Sequence, residues 1–414
     1  MNDLGPSIPG VDAVAQSSDS ERHVPAAART AAHAPRSHGH AVEHDDRGLS
    51  PRAFPGPPPR WGLPLVLGLR RMLLRLADAV TPPALAMFDR AVGVGRTQIV
   101  GAIARHRIAD LVEAHGPQTA AELARRTGLD ADALHRTLRA AAWDGIFALD
   151  AEGRFSQTRL SRALCSGRLD RMREGCEYMA SPAMGPAWCD YERTLQTGGP
   201  AFDRVHGADV WRFFEGRPHD REVFAQFMMG MTTAHGPIAA SLYPFAEVRR
   251  LCDVGGGRGT MLSELLVRHP HLTGVLCDSP GVIASARSLL ERRGVAERVT
   301  LAPGNFFESV PRGADAYLLK NILHDWDDAR AVQVLGNVRR AMEPGHKLLV
   351  VEDIVETNQS HGLGPVADVH MMIVCSGGRE RSRAEFARLF ESAGFSLARV
   401  FAAQPIAVLE GVPR

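Results

Sequence analysis

The chain has 414 residues, with 48 Lys or Arg against 47 Asp or Glu, a formal net charge of +1. That length corresponds to two or three domains, and 45% hydrophobic with 23% charged residues is a globular composition. The balanced charge argues against nucleic acid or an anionic membrane as the main partner. The six cysteines are scattered and form no C-x-x-C pair, which argues against a zinc framework or a secreted disulfide scaffold and for a reducing cytosol. No apolar run reaches the ~18 residues of a membrane span.

Residues 1–60 hold eight Leu, Ile, Val or Phe but nine of the 27 prolines. Runs such as Pro51–Pro59 enter neither a helix nor a central strand. So little apolar surface does not offset the entropy of ordering the chain, and a disordered tail is expected. Five histidines fall here (His23, His33, His38, His40, His44); their irregular spacing favours a solvated tail over a metal site. In 64–80 the residues Leu65, Leu69, Met72, Leu73, Leu76 and Val80 share one helical face. Three arginines accompany them, so a membrane-surface helix competes with packing against the body of the protein, and packing is the expectation. The whole amphipathic helix is assigned to residues 61–81.

From about Pro82 to Ala180 the pattern is helical. Thr119 and Glu122 form a capping box. Two helices around Gly128, followed by short apolar stretches at Gly145 and Gly153, read as a winged helix. A DNA-reading module needs a basic stripe, yet Gln118–Cys165 carries seven arginines against six carboxylates. Packing or dimerisation is therefore the preferred role for this 82–180 domain, with DNA binding the alternative. Residues 181–245 read as linking helices rich in Met and aromatics, mostly core, with some lining a pocket.

The region 246–414 is the most informative. A short apolar strand runs from Arg250 into Gly255, Gly256, Gly257 and Gly259, and a helix begins at Thr260. Glycines allow the tight turn and a close ligand. The next strand, Leu272–Cys277, ends at Asp278, placed to accept from both hydroxyls of a ribose. Strands at Val299–Gly304, Asp315–Leu319 and Lys347–Val351, with a helix over Asp327–Met342, complete an α/β alternation. The fold class is a doubly wound, Rossmann-like sheet behind a mostly helical winged-helix domain. Asp253, two residues before the glycines, suits a pyrophosphate poorly, so S-adenosylmethionine fits better than NAD.

In these motifs the chain resembles the small-molecule O-methyltransferases related to caffeic acid O-methyltransferase, including bacterial natural-product enzymes. The likeness spans about residues 82–414. It is carried by DVGGGRG (Asp253–Gly259), Gly304-Asn-Phe-Phe, Leu319-Lys-Asn-Ile-Leu-His-Asp-Trp, Val350-Val-Glu-Asp and Gly377-Gly-Arg-Glu-Arg-Ser. The resemblance implies a homodimer joined through the winged-helix domain. It also implies a methyl group moved from S-adenosylmethionine to a hydroxyl of an aromatic or polyketide-like acceptor. By the same resemblance His324, just beyond an apolar stretch Tyr317–Leu323 read as strand, is the general base, flanked by Glu352 and Glu380, with Glu380 open to a plain surface-pairing role between Arg379 and Arg381. The cofactor set is the loop around Gly255 and Gly257, Asp278 at the ribose, Asn305 and Phe306 beside the adenine, and Lys320 at the methionyl end. Asn305 departs from the family's usual Asp, which implies weaker cofactor binding. Phe227, Met228, Met231, Met371, Met372 and Cys375 match acceptor-pocket positions, with Met184 and Trp326 as weaker candidates. No metal is expected.

Overall fold

The winged-helix expectation is met locally, and its cause is visible in the caps. In the computed structural model, which describes residues 52, 54–56, 62–356, 364–403 and 405–414, Thr119 caps the helix Ala120–Thr127. The Thr119 hydroxyl accepts from the Glu122 N–H, while the Glu122 carboxylate accepts from the Thr119 N–H. Asp130 caps the next helix, Ala131–Trp143. Strands β2 (Phe147–Leu149) and β3 (Arg154–Gln157) form the wing, and β1 (Gln118–Thr119) pairs on the other side of β3. Leu123, Leu138, Phe147 and Phe155 close this small core.

The second sheet has seven strands: β4 (Arg250–Val254), β5 (Thr273–Asp278), β6 (Val299–Pro303), β7 (Ala316–Lys320), β8 (Lys347–Glu352), β9 (Phe395–Ala403) and β10 (Ile406–Pro413). Their order is β6-β5-β4-β7-β8-β10-β9. The pairs from β6 to β8 are parallel, and β10 is antiparallel to both β8 and β9. β8 reads LLVV because it is buried on both faces. Two apolar clusters fill the two sides, one around Leu262, Leu276 and Leu318, the other around Tyr317, Leu335 and Phe386. Strand order reverses between β4 and β7, and a crevice at the carboxyl ends of parallel strands opens at such a switch point.

Three local expectations change. The strand before His324 stops at Lys320, not Leu323. Asn321 takes a left-handed φ of 53°, and a 3-10 turn, Leu323–Asp325, carries the histidine. The helix Gly62–Val80 forms, but its apolar stripe is not packed on the body: Leu69 is 51% exposed and Val80 76%. The adjoining helix Pro83–Ala91 leaves Leu85, Met87 and Phe88 exposed too. The five tail histidines lie outside the described residues, as does most of 1–60.

Phe54 departs from the disorder expected there. It is buried, its N–H donates to both oxygens of Glu264, and its carbonyl accepts from Arg268. Arg293 lies over the Phe54 ring at 4.1 Å and donates to the Arg52 carbonyl at 2.6 Å. A lone aromatic and two backbone carbonyls thus dock where the buried Arg293 and the half-buried Arg268 need acceptors.

Candidate active site

The glycine loop turns at the end of β4. Gly255 and Gly257 have φ of 69° and 60°, a region open to glycine. At Gly256 an added Cβ would lie 2.5 Å from both the Asp253 carboxyl carbon and a Leu276 methyl. The Gly257 N–H donates to Asp278 at 2.8 Å, and the Ser279 N–H donates to the other Asp278 oxygen at 2.7 Å. Asp278 is thereby held at the tip of β5 beside the loop.

Asp253 is buried, and neither carboxylate oxygen has a side-chain partner or a backbone hydrogen bond of normal length. Burial pushes its carboxyl up to about 7, opposed by Lys320 and aided by Asp278. Lys320, across the switch point at the end of β7, is pulled down to about 8 by burial against the pull of Asp253 and Glu352. Its ammonium donates to Asn321 at 2.9 Å. An orphaned buried carboxylate, a tight glycine cradle and a ribose-height carboxylate suit a cationic nucleoside rather than a pyrophosphate. The residues present therefore fit S-adenosylmethionine.

Phe306 borders this cradle, 3.4 Å from where a Gly255 Cβ would sit. Asn305 is exposed, and both ends of its amide are used locally. Its oxygen accepts from the Phe307 N–H at 3.0 Å and its nitrogen donates to Glu308 at 3.0 Å. This side chain thus caps its own turn, a task the sequence reading did not give it.

Across the crevice His324 is buried, and its Nδ1 lies 2.8 Å from Glu380. Glu380 is no surface glutamate: it too is buried, and its N–H donates to Asp368 at 2.8 Å. Its neighbours have other partners, Arg379 pairing with Glu385 and Arg381 bonding Asp328 and the carbonyls of Leu323 and Trp326. Glu352 behaves differently from the expected flanking carboxylate. One oxygen accepts from the Ile322 and Leu323 N–H groups at 3.1 and 2.6 Å, and the other has no partner. It holds the turn bearing His324 and acts on the imidazole through its charge alone.

Asp325, not singled out from the sequence, lies 3.4 Å from His324 Nε2. Its only prior signal is adjacency to the histidine. Burial alone would lower the His324 imidazole, but Asp325, Glu380 and Glu352 outweigh it and push it up to about 10. Burial pushes Asp325 up to about 7, with His324 opposing. One imidazole thus sits among three carboxylates, two of which keep an unpartnered oxygen, on Glu352 and Glu380.

Next to this cluster, Phe227, Met371 and Cys375 join one group of aromatic and sulfur side chains with Tyr178, Trp188 and Trp211. Cys375 is 3.9 Å from Asp325, which ties the group to the histidine. Met228, Met231 and Met372 are half-buried on the helices Pro218–Leu242 and Gly364–Val374 and are not members of that group. Met184 is fully buried core. Trp326 packs instead against the sheet and lies 6.1 Å from the Trp211 ring. Tyr178 and His370 were missed because single rings on separate helices leave no sequence pattern, whereas Trp188 lies in the 181–245 stretch read as partly pocket-lining.

Comparison with known proteins agrees with this architecture. An O-methyltransferase domain model matches residues 188–396, and an O-methyltransferase dimerisation domain model matches 92–167. The chain is 35% identical to the mitomycin biosynthesis 6-O-methyltransferase of Streptomyces lavendulae, over 71% of this chain and 85% of the relative. It is also 35% identical to the 8-amino-8-demethylriboflavin N,N-dimethyltransferase of Streptomyces davaonensis, over 75% and 90%. It matches the crystal structure of an O-methyltransferase from neocarzinostatin biosynthesis in complex with S-adenosylmethionine and 2-hydroxy-5-methyl naphthoic acid. That match has a TM-score of 0.69 and 30% identity, over 77% of this chain and 96% of the other. The glycine cradle, the buried histidine and these matches together place the chain in the family of S-adenosylmethionine-dependent O-methyltransferases.

Proposed function

We propose that the protein methylates a hydroxyl of a small aromatic or polyketide-like molecule, with His324 as the general base. The observation that carries this reading is the His324–Glu380 contact at 2.8 Å, both groups buried beside an aromatic pocket. When bound, S-adenosylmethionine supplies a methyl already activated by its sulfonium. The chain's own task is to make the acceptor oxygen nucleophilic, since a phenol of pKa ~10 is mostly neutral at pH 7.

His324 Nε2 takes the hydroxyl proton while Nδ1–H donates to Glu380, which fixes the tautomer and favours the imidazolium that forms. The base must be neutral to act, and the resting cluster holds a proton on the imidazole. Asp325, 3.4 Å from Nε2, is the strongest of the charges that hold that proton on the ring, so activity waits on its release as pH rises. Glu352 positions the turn through the Ile322 and Leu323 N–H groups.

For the cofactor, Gly255 and Gly257 form the cradle, Asp278 takes the ribose hydroxyls, Asn305 and Phe306 flank the adenine, and Lys320 with Asp253 serves the methionyl end. Phe227, Met228, Met231, Met371, Met372 and Cys375 line the acceptor side. The dimerisation segment and the exposed apolar faces of the two helices preceding it support a homodimer.

A base held by a carboxylate serves a hydroxyl, whereas a neutral amine already has its lone pair free; this separates O- from N-methylation here. The test is incubation with isotopically labelled S-adenosylmethionine and a panel of phenols, catechols, naphthoates and aromatic amines, read by mass spectrometry. Methyl ethers are expected; label on amine nitrogen alone overturns the reading.

A further inference from the structure

Two polar atoms in the aromatic group have no use in the chemistry above. Trp188 Nε1 and His370 Nδ1 are both buried atoms without a hydrogen-bond partner. Their rings belong together: the imidazole stacks on the indole at 5.9 Å and 18°, and meets Tyr178 edge-on at 6.0 Å. Tyr178 in turn stacks on Phe227 at 5.7 Å, one of the acceptor-side positions. His370 lies on the helix Gly364–Val374, whose Asp368 accepts from the N–H of Glu380, the residue bonded to His324. The pair therefore stands within the catalytic neighbourhood, on flat aromatic walls.

Buried donors and acceptors in folded proteins are paired as a rule, and a site with pre-placed unpaired groups selects ligands that complete them. Indole N–H only donates, so it requires an oxygen that accepts. Burial, with the charge of His324, pulls the His370 imidazole down to about 4, so the ring is neutral at pH 7. Neutral imidazole nitrogen accepts from a hydroxyl or, in its other tautomer, donates to a carbonyl. The acidic side chains acting on this corner are Asp325 on Tyr178, and Asp325, Asp203 and Asp209 on Cys375. A carboxylate substituent would meet those like charges in a poorly solvated place.

We propose that Trp188 Nε1 and His370 Nδ1 bind an uncharged second oxygen of the methyl acceptor. The enzyme then selects aromatic rings carrying a hydroxyl or carbonyl besides the hydroxyl that is methylated. The inference rests on the proposed O-methyl transfer to an aromatic acceptor and names its substrate class.

The test is calorimetric binding to the full chain saturated with S-adenosylhomocysteine, so no turnover is required. The probes are 2-naphthol, a set of naphthalenediol isomers, a set of hydroxyacetonaphthones and a set of hydroxynaphthoic acids. At least one diol or hydroxyketone should bind about tenfold or more tightly than 2-naphthol, the size of one good buried hydrogen bond. Which set wins separates the hydroxyl source from the carbonyl source. Trp188→Phe and His370→Phe keep an aromatic ring; within each variant the diol or hydroxyketone should bind little more tightly than 2-naphthol does to that same variant, with the melting temperature nearly unchanged. Absence of any preference, preference for the naphthoic acids, or a preference kept by both variants overturns the proposal. Selective binding without methylated product in the labelled assay would instead overturn the O-methyl reading and leave the subsite standing.

Discussion

Glu264 and Glu352 are both fully buried, one on the helix behind the glycine loop and one at the end of β8, yet they are treated in opposite ways. Each oxygen of Glu264 has two partners: one takes Phe54 N–H and Arg268, the other Phe54 N–H and Arg293. Glu352 has one oxygen filled by two backbone N–H groups and one left empty, and Glu380 is likewise half-filled. A buried charge is tolerated when paired and hydrogen-bonded, and in the first cluster the Glu264 carboxylate is fully satisfied as it stands. The second keeps unspent hydrogen-bonding capacity around His324, which a structural ion pair has no reason to keep. Saturation thus separates the cluster that holds the fold from the one we propose does the chemistry.

That contrast is open to breaking by substitution. The largest effect on rate is expected from His324→Ala: kcat on a neutral phenol falls about 10²–10⁴-fold, the worth of a positioned base, while the melting temperature changes little. Retention of full kcat would remove the base from the account. Glu264→Ala should do the reverse, leaving the buried Arg293 and the half-buried Arg268 short of an acceptor and costing about 3–5 kcal/mol of stability with kcat of the folded fraction unaltered. Denaturant titration checks the first half and active-site-normalised kinetics the second. Phe54→Ala removes one buried ring from the same cluster and should cost about 1.5–3 kcal/mol, again without changing kcat. If Phe54→Ala left the unfolding midpoint where it was, the docked segment would not be part of the staple.

Much of the catalytic side was readable from the chain because its motifs are local. The DVGGGRG turn, Asp278 at the next strand end and the run holding His324 each lie within a few residues of a strand end. Glu380 was readable as a candidate, but its burial was not, because that depends on Arg379 and Arg381 finding Glu385 and Asp328 instead. Glu352 was placed correctly at the end of a buried strand. Its main bonds go to backbone N–H groups exposed when the strand stops at Lys320, and no side-chain pattern announces that. Phe54 was illegible for a different reason. It stands alone in a proline-rich stretch with no periodicity, and its partner Glu264 is 210 positions away. The helix Gly62–Val80 was read by its periodicity, but an apolar stripe says only that something must cover it, and within this chain nothing among the described residues does so.

The most direct test of the central claim is the pH profile of kcat/KM for wild type and Glu380→Gln on one phenolic acceptor. Comparing the two on the same acceptor cancels the acceptor's own ionisation. His324 is protonated at low pH and becomes a base only as it loses that proton, so activity should rise with pH toward the raised value of about 10. Glu380 is one of the charges that raises it, so Glu380→Gln should move the midpoint to lower pH while reducing the plateau rate. An unmoved midpoint, or one shifted upward, would contradict a His324 base tuned by Glu380.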